Sequence, residues 1–500
     1  MTGHRLKLHL EDQGVEGQLA ESRLFRQAAY LAGAWIEAGD ASIAVTDPAS
    51  GKEIGRVPDL GAAETERAIA AASQTYPAWR RLLAKERAAI LRRWADLMVR
   101  HREDLAVLMT LEQGKPIAES RGEIDYAASF LEWFGEEAKR MYGDTVPSHL
   151  AGSRLSVTRE PVGVTAAITP WNFPSAMITR KAGAALAAGC PMIVRPASET
   201  PFSALALAVL AEEAGVPAGV FSVLTGSART IAGVLTASPV VRKISFTGST
   251  EVGRLLLAQS AETVKKVSME LGGHAPFLVF DDADIEAAVD GAVAAKFATT
   301  GQDCLAVNRL YVQDGIHDAF AERFAAATAA LKVGPGLDSS VDQGPLMSED
   351  AVAKCETHVA DALAKGARLM VGGRRHKLGG TFFEPTVLAD VTEDMAIAQE
   401  ETFGPIAPIL RFRDEAEVLA RANDTIFGLA AYAYSRDVSR VLRVSETLEY
   451  GMVGINTPKF TGAPIPFGGV KQSGLGREGS RYGLDDYTEL KYVCIGGVHS

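Results

Sequence analysis

Cysteine is scarce in this chain: four of 500 residues, Cys190, Cys304, Cys355 and Cys494, stand far apart with no C-x-x-C pair. That spacing gives neither a disulfide framework nor a zinc pattern, so no metal is expected, and a reducing cytoplasm fits best. Long apolar runs are missing too. No stretch reaches the roughly eighteen apolar residues of a membrane span, the Ala/Gly-rich run after Lys181 being cut by Arg195. The first ten residues run into Glu11 and Asp12 without the apolar core of a secretory signal. Positive charge is not in excess. With 51 basic against 62 acidic residues the net charge is −11, which removes the global basic footprint of a nucleic-acid binder and leaves any anionic ligand to local groups. What is present is an ordinary globular composition, 47% hydrophobic and 23% charged, in a chain long enough for two or three domains.

Hydrophobic periodicity orders the chain. Residues 1 to about 27 are charged and weakly patterned, and a partly ordered arm is expected there. Between residues 61 and 102 apolar positions recur at helical spacing, predicting two amphipathic helices, with a third pattern over 124–139. His101 and Lys115 read as residues of solvated faces. Short alternating runs between about 142 and 160, such as Leu155-Ser156-Val157-Thr158, suggest a strand of a small separate sheet, and residues 487–495 alternate in the same way. From 162 to 280 continuous apolar runs alternate with helical ones, the rhythm of a parallel sheet with helices on its faces. A second alternating region covers about 271–460, with helices expected over 285–297 and 348–365 and turns at Gly372-Gly373 and Gly379-Gly380. Cys355 and His358 share one helical face, but two ligands do not make a metal site.

Open sheets bind ligands at their carboxyl edge, where a dinucleotide is the default occupant. The single G-x-G-x-x-G, Gly474-Leu475-Gly476-Arg477-Glu478-Gly479, has no βαβ unit around it and is rejected as a cofactor loop. A better candidate is Lys243-Ile244-Ser245-Phe246 running into Thr247-Gly248-Ser249-Thr250 and a helix. A small, hydroxyl-rich helix start offers free N–H groups to a pyrophosphate; a plain Ser/Thr cap is the alternative.

Three segments carry chemistry. Cys304, in Thr299-Thr300-Gly301-Gln302-Asp303-Cys304, is a candidate nucleophile. A free thiol with a pKa of about 8.5 is only a few per cent thiolate at neutral pH, and the N–H groups of the Gly-Gln-Asp turn are expected to favour the anion. In isolation the same cysteine reads more readily as a small buried hydrophobe, and the two further segments raise the catalytic reading. Glu270, followed closely by Gly272 and Gly273, reads as a general base with room for other groups to approach. Asn172, between Pro170-Trp171 and Phe173-Pro174, can donate to a developing oxyanion, a contribution typically worth about 100- to 1,000-fold in rate.

Trp171-Asn172-Phe173-Pro174, Phe246-Thr247-Gly248-Ser249, Glu270-Leu271-Gly272-Gly273, Gly301-Gln302-x-Cys304, Glu401-x-Phe403-Gly404-Pro405 and Pro466-Phe467-Gly468-Gly469 follow one another in an order that resembles the aldehyde dehydrogenase superfamily, from about residue 28 to the C-terminus. Met177-Ile178-Thr179-Arg180-Lys181 and Gly474 to Gly479 resemble its succinate-semialdehyde dehydrogenase branch. The resemblance implies an α/β fold of two open, mainly parallel Rossmann-like domains plus a small β oligomerisation arm. Residues 1–141 and 160–270 would form the NAD(P)-binding domain, 271–460 the catalytic domain, and 142–159 with 480–500 the arm of a homotetramer, a dimer of dimers. It implies oxidation of an aldehyde through a thioester on Cys304, with Asn172 and the Cys304 N–H meeting the oxyanion and Glu270 activating water. Lys181 and Glu478 would support the nucleophile and relay protons from the base. Ile168, Thr169, Pro170, Trp171, Gly248, Ser249, Glu401 and Phe403 would hold the cofactor, and Phe173 and Phe467 would line the aldehyde's side. A non-catalytic binding protein on the same fold is the alternative of another class, and would be expected to lack Cys304, Glu270 or Asn172; all three are present. A reductase acting on an acyl-CoA is a further alternative.

Two departures bear on specificity. Arg195 stands where lysine is usual, and Ser198 where strict NAD users often have glutamate. Ser198 cannot repel a 2′-phosphate, while Arg195 and Arg229 can pair with it, so both NAD and NADP are expected. Arg180 keeps one of two arginines that hold the distal carboxylate of succinate semialdehyde; the other position is Ala298. Lys459 and Thr461 in the altered loop 457–465, with His274, are expected to help bind the substrate. The expected substrate is a short aldehyde with a distal anion, succinate semialdehyde first, glutarate semialdehyde or sulfolactaldehyde next.

Overall fold

The computed structural model describes residues 14–498. The first thirteen residues, on which the reading of the N-terminus rests, and the last two lie outside the described residues. Residues 14–27, expected to be weakly ordered, are packed: Leu24 and Phe25 are buried, the Phe25 ring lies 4.7 Å from that of Phe202, and the Asp104 carboxylate accepts the N–H groups of Ala20 and Glu21 at 2.8 and 3.0 Å. Val15 and Leu19 are buried in the same core, so four apolar side chains among charged neighbours dock the segment.

An eight-stranded sheet has the order Gly474–Leu475, Lys266–Glu270, Val241–Thr247, Val164–Ile168, Met192–Arg195, Phe221–Val223, Ala28–Leu31, Ala34–Glu37. Its five inner strands, from Lys266–Glu270 to Phe221–Val223, run parallel. A seven-stranded sheet has the order Arg368–Val371, Thr386–Ala389, Ile406–Phe412, Val307–Gln313, Ala275–Val279, Ala430–Tyr434, Met452–Ile455, parallel except at its first pair. Strands covered on both faces can be apolar throughout, and Val164–Ile168, Ala275–Val279 and Ala430–Tyr434 are buried at every position. Thr488–Ile495, Arg154–Pro161 and Asp144–Val146 form a separate antiparallel sheet. Among the described residues no helix is long and apolar enough to cross a membrane.

Packing explains two compositions near the centre. The helix Ala176–Ala188 is buried along its whole length, and small residues let it lie against the helix Ile117–Ala138, whose Phe130 and Phe134 crowd Gly183. Gly474–Leu475, within the rejected glycine motif, is an edge strand paired antiparallel with Met269 and Glu270. The segment therefore carries Glu478 in beneath the end of the Glu270 strand rather than cradling a phosphate. Where the chain passes from one large sheet to the other, Gly273 leaves space that a Cβ would take from the Cys304 carbonyl oxygen, so the glycine pair after Glu270 is a condition of close approach.

Candidate active site

Cys304 is delivered by a strained turn. The helix Ile285–Phe297 gives way to Thr299, Thr300 and Gly301 at φ 49°, 57° and 72°, and left-handed backbone is costly for a β-branched residue. Three contacts hold it. The Glu119 carboxylate accepts from the Thr299 N–H at 2.9 Å and from its hydroxyl at 3.2 Å. The Gln302 amide donates to the carbonyls of Thr299 and Pro345 at 3.3 and 3.4 Å and accepts from the Met347 N–H at 2.9 Å. Gly301 sits so close to the Gly404 carbonyl that no Cβ fits.

Asn172, nearly buried, donates one amide hydrogen to the Gln302 carbonyl at 3.0 Å, which ties it to the nucleophile's turn and leaves its second hydrogen for another acceptor. The Asn172 carbonyl is held in turn by Lys115. This lysine, read from sequence as solvated, is 2% exposed. Its ammonium donates to Glu123 at 2.7 Å and to the Asn172 carbonyl at 2.6 Å and lies 4.0 Å from the centre of the Phe173 ring. Glu123 accepts, with its other oxygen, the N–H groups of Ser175 and Ala176 at 2.9 and 3.1 Å. The inward pull of a buried carboxylate overrides the usual preference of lysine for water. The signal in sequence was a Glu119/Glu123 pair at i, i+4, which places two carboxylates on one helical face; without knowing what that face meets, it looks like a solvated stripe.

Glu270 is buried, and one carboxylate oxygen has no hydrogen-bond partner. Burial first, then the charge of Glu478, push its pKa up to about 8. Glu478 receives the Arg180 Nε at 2.5 Å and also the Lys181 ammonium, which donates besides to the Thr247 hydroxyl at 2.7 Å. Burial opposes the charge of Glu478, but Lys181 and Arg180 outweigh it and its pKa is lowered. The Cys304 side chain is enclosed although the residue as a whole is only half-buried. Burial, then Asp303 and Glu270, raise its thiol well above the ordinary value. In the protein alone, desolvation and two carboxylates thus oppose the thiolate that the turn N–H groups were expected to favour.

Two cavities meet at Cys304. One, of about 300 Å³, is lined by Tyr126, Phe173, Arg180, Asp303, Thr461 and Phe467, with Ala298 in its wall. The other, of about 230 Å³, is lined by Trp171, Asn172, Gly248, Ser249, Glu401 and Phe403. A larger groove of about 800 Å³, between the helices Ala62–Trp79 and Ala228–Ala237, has no such chemistry. The second cavity suits a dinucleotide: Gly248 and Ser249 precede the helix Thr250–Ala261, whose first N–H groups favour an anion, and the Thr169 hydroxyl just beyond Ile168 and its strand is buried without a partner. The Glu401 carboxylate, pushed up to about 7 by burial, accepts the Gly273 N–H at 3.1 Å. Trp171 meets Phe403 edge to face at 5.6 Å, and Pro170 completes that wall. Arg195 donates to the Ser198 hydroxyl at 2.7 Å and to the Gly226 carbonyl at 2.9 Å; Arg229 is exposed in the first turn of the helix that follows.

Two expected substrate contacts are not brought to the site. His274 is 1% exposed and turned into the second sheet beside Phe427, with its carbonyl held by Arg309 at 3.0 Å; Lys459 is exposed, and neither lines the aldehyde-side cavity. His274 immediately precedes the buried strand Ala275–Val279 and is buried with it. His358 pairs with the Thr402 hydroxyl at 3.1 Å, and among the described residues no cluster of three His, Cys, Asp or Glu side chains could hold a metal ion.

A family model described as the aldehyde dehydrogenase family matches residues 35–493. A glutarate-semialdehyde dehydrogenase of Pseudomonas aeruginosa is 62% identical over 482 residues, covering 96% of this chain and all of the relative. A succinate-semialdehyde dehydrogenase [NADP(+)] of Escherichia coli is 62% identical over 480 residues, with the same coverage. A crystal structure of an NADP-dependent E. coli enzyme superposes with a TM-score of 0.95 at 62% identity, covering 96% of this chain and 100% of that one.

The raised thiol of Cys304 makes a measurable prediction. In a Cys494→Ser background, which removes the exposed cysteine, alkylation of Cys304 by iodoacetamide is expected to be slow at pH 7 and to climb about tenfold per pH unit to beyond pH 9, as the thiolate fraction grows. Glu270→Gln, which deletes one of the repelling carboxylates, is expected to move that curve to lower pH.

Proposed function

Because the chain belongs to the aldehyde dehydrogenase family, we propose that it oxidises a short aldehyde carrying a distal anion to the acid, with NAD or NADP, succinate semialdehyde being the first choice. The observation that carries this reading is Cys304 at the junction of the two cavities, with the Asn172 amide on one side and a general base whose free oxygen is buried. The sulfur adds to the carbonyl carbon and the C=O electron pair moves to oxygen, where the second Asn172 N–H and the Cys304 N–H receive it. When bound, the oxidised nicotinamide supplies the hydride acceptor and a positive charge that favours the thiolate. The thioester left on Cys304 is opened by water, from which Glu270 removes a proton and passes it toward the Glu478–Lys181 pair.

The distal anion is met by Arg180 with the hydroxyls of Tyr126 and Thr461, which line the same cavity. Glutarate semialdehyde and sulfolactaldehyde present an anion at comparable reach and remain alternatives. Arg195, Ser198 and Arg229 leave space and charge for a 2′-phosphate without repelling NAD. The proposal includes the division into 1–141 with 160–270, 271–460, and 142–159 with 480–500. A homotetramer is supported by the exposed apolar side chains Leu490, Tyr492 and Ile495 on the C-terminal strand, and a cytoplasmic setting by four unpaired cysteines in a thiol enzyme.

Three outcomes test this. Glu270→Gln is expected to give a burst of reduced cofactor followed by slow turnover; in the parent, kcat rises with pH through about 8 as Glu270 loses its proton, and in the variant that rise is gone. Succinate semialdehyde is expected to exceed neutral butanal in kcat/KM by about ten- to a hundredfold, the worth of one charge-assisted hydrogen bond, and Thr461→Val with Tyr126→Phe should narrow the gap; equal rates in the parent would remove anion recognition. Arg229→Ala is expected to raise KM for NADP about tenfold, the loss of one exposed ion pair at a phosphate, while KM for NAD stays unchanged in initial-rate measurements.

A further inference from the structure

The ion pair of Lys115 and Glu123 lies out of water, each side chain 1% exposed, and outside the pair the two side chains meet Asn172, Phe173, Ser175 and Ala176. An ammonium has three N–H donors. One goes to Glu123 at 2.7 Å and one to the Asn172 carbonyl at 2.6 Å, while the Phe173 ring centre lies 4.0 Å away. The other Glu123 oxygen accepts from Ser175 and Ala176, where the helix Ala176–Ala188 begins without a side-chain cap of its own. The Asn172 carbonyl belongs to the planar peptide that joins it to Phe173, so holding that oxygen fixes the backbone from which the Asn172 side chain springs. The pair is anchored on the nucleophile's side as well. No Cβ fits at Gly336 against the Lys115 carbonyl, nor at Gly344 against that of Gly114, and the Gly344 carbonyl accepts the Thr300 hydroxyl at 3.2 Å.

A buried ion pair adds little net stability over an apolar pair of the same shape, but its directed hydrogen bonds fix where atoms stand. That matters at Asn172. One of its amide hydrogens is taken by the Gln302 carbonyl at 3.0 Å, so the aim of the second depends on where residue 172 sits relative to the Cys304 turn. A donor stabilises a developing oxyanion only from hydrogen-bond distance, and a displacement of about 1 Å can cost on the order of a hundredfold in rate. On the reading that Asn172 receives the oxyanion, we propose that Lys115 and Glu123 are positioning residues for aldehyde oxidation. They hold the Asn172 side chain where its free N–H meets the oxyanion, and they act on the first chemical step through Asn172.

The test is a double-mutant cycle in the whole enzyme with saturating NADP, read as the rate of NADPH formation in the first turnover. Succinate semialdehyde and butanal are run in parallel, so that an error in the anion reading does not remove the measurement. The variant Lys115→Met/Glu123→Gln removes both charges together and leaves no unpaired charge in the interior. It is expected to slow the first turnover about ten- to a hundredfold, part of the roughly 100- to 1,000-fold worth of an oxyanion donor, while Kd for NADP is unchanged. In an Asn172→Ala background the same change is expected to cost less than about twofold, because the group that the pair positions is gone. A pair that only supports the fold would slow both backgrounds by the same factor; that outcome overturns the proposal, and so does a pair variant as fast as the parent. Lys115→Met alone, with Glu123 left to its two N–H donors, is read in the same cycle should the pair variant not fold. If Asn172→Ala is itself as fast as the parent, the oxyanion role of Asn172 falls and the proposal with it; if Asn172→Ala is slow and the pair variant is not, only the role of Lys115 and Glu123 falls.

Discussion

The buried ion cluster of Arg180, Lys181 and Glu478 is the constraint on which the site depends. It joins two adjacent residues of the helix Ala176–Ala188 to a carboxylate almost 300 positions later, with all three side chains nearly without solvent. Charges taken out of water are expensive unless paired, and removing one partner of such a group typically costs about 3–5 kcal/mol. Two cations on one carboxylate leave a positive excess, and the neighbouring Glu270 is near enough to feel it. The cluster thus does two things: it locks the C-terminal segment against the first sheet, and it sets the charge that Glu270 feels.

The helix Ile117–Ala138 plays the complementary part on the other wall. Glu119 steadies the left-handed threonines ahead of Cys304, Glu123 with Lys115 fixes the loop that bears Asn172, and Tyr126 lines the aldehyde-side cavity. Positions 119, 123 and 126 share one helical face. Cys304 and Asn172, 132 residues apart in sequence, are therefore referred to a single rigid element, and their separation is kept by a helix rather than by two independent loops. A rigid shared support of this kind is what keeps reacting groups within the small tolerances that catalysis requires.

How much of this could be read beforehand follows from the range of the interactions. The parallel sheets were legible because strands covered on both faces must be continuously apolar, as at Val164–Ile168. The positions of Cys304 and Glu270 stood out because the glycines beside them remove side-chain bulk, and that of Asn172 because the prolines beside it restrict the backbone. Lys115 was not legible: its partners come from two other segments, and nothing in Gly114-Lys115-Pro116 distinguishes a buried lysine from a solvated one. His274 failed in the opposite direction, since its neighbours in sequence are those of the base while its side chain belongs to the second sheet. Residues 14–27 look weakly patterned because their four docking side chains, Val15, Leu19, Leu24 and Phe25, follow no single helix or strand period.

The charge balance of the aldehyde-side cavity has one further consequence. Among the described residues Arg180 is the one arginine that lines it, and its charge is set against Glu478, while Glu119, Glu123 and Asp303 line the same cavity. Net charge therefore does not draw an anion in. On the proposed reading, recognition comes from direction: the guanidinium hydrogens not given to Glu478, with the hydroxyls of Tyr126 and Thr461, meet the anion, while Asp303 stands beside Cys304. On that reading an aldehyde that carries its anion at the correct reach is held with its carbonyl at Cys304, one with the anion too near the carbonyl meets Asp303 instead, and selection by length requires no second arginine at position 298.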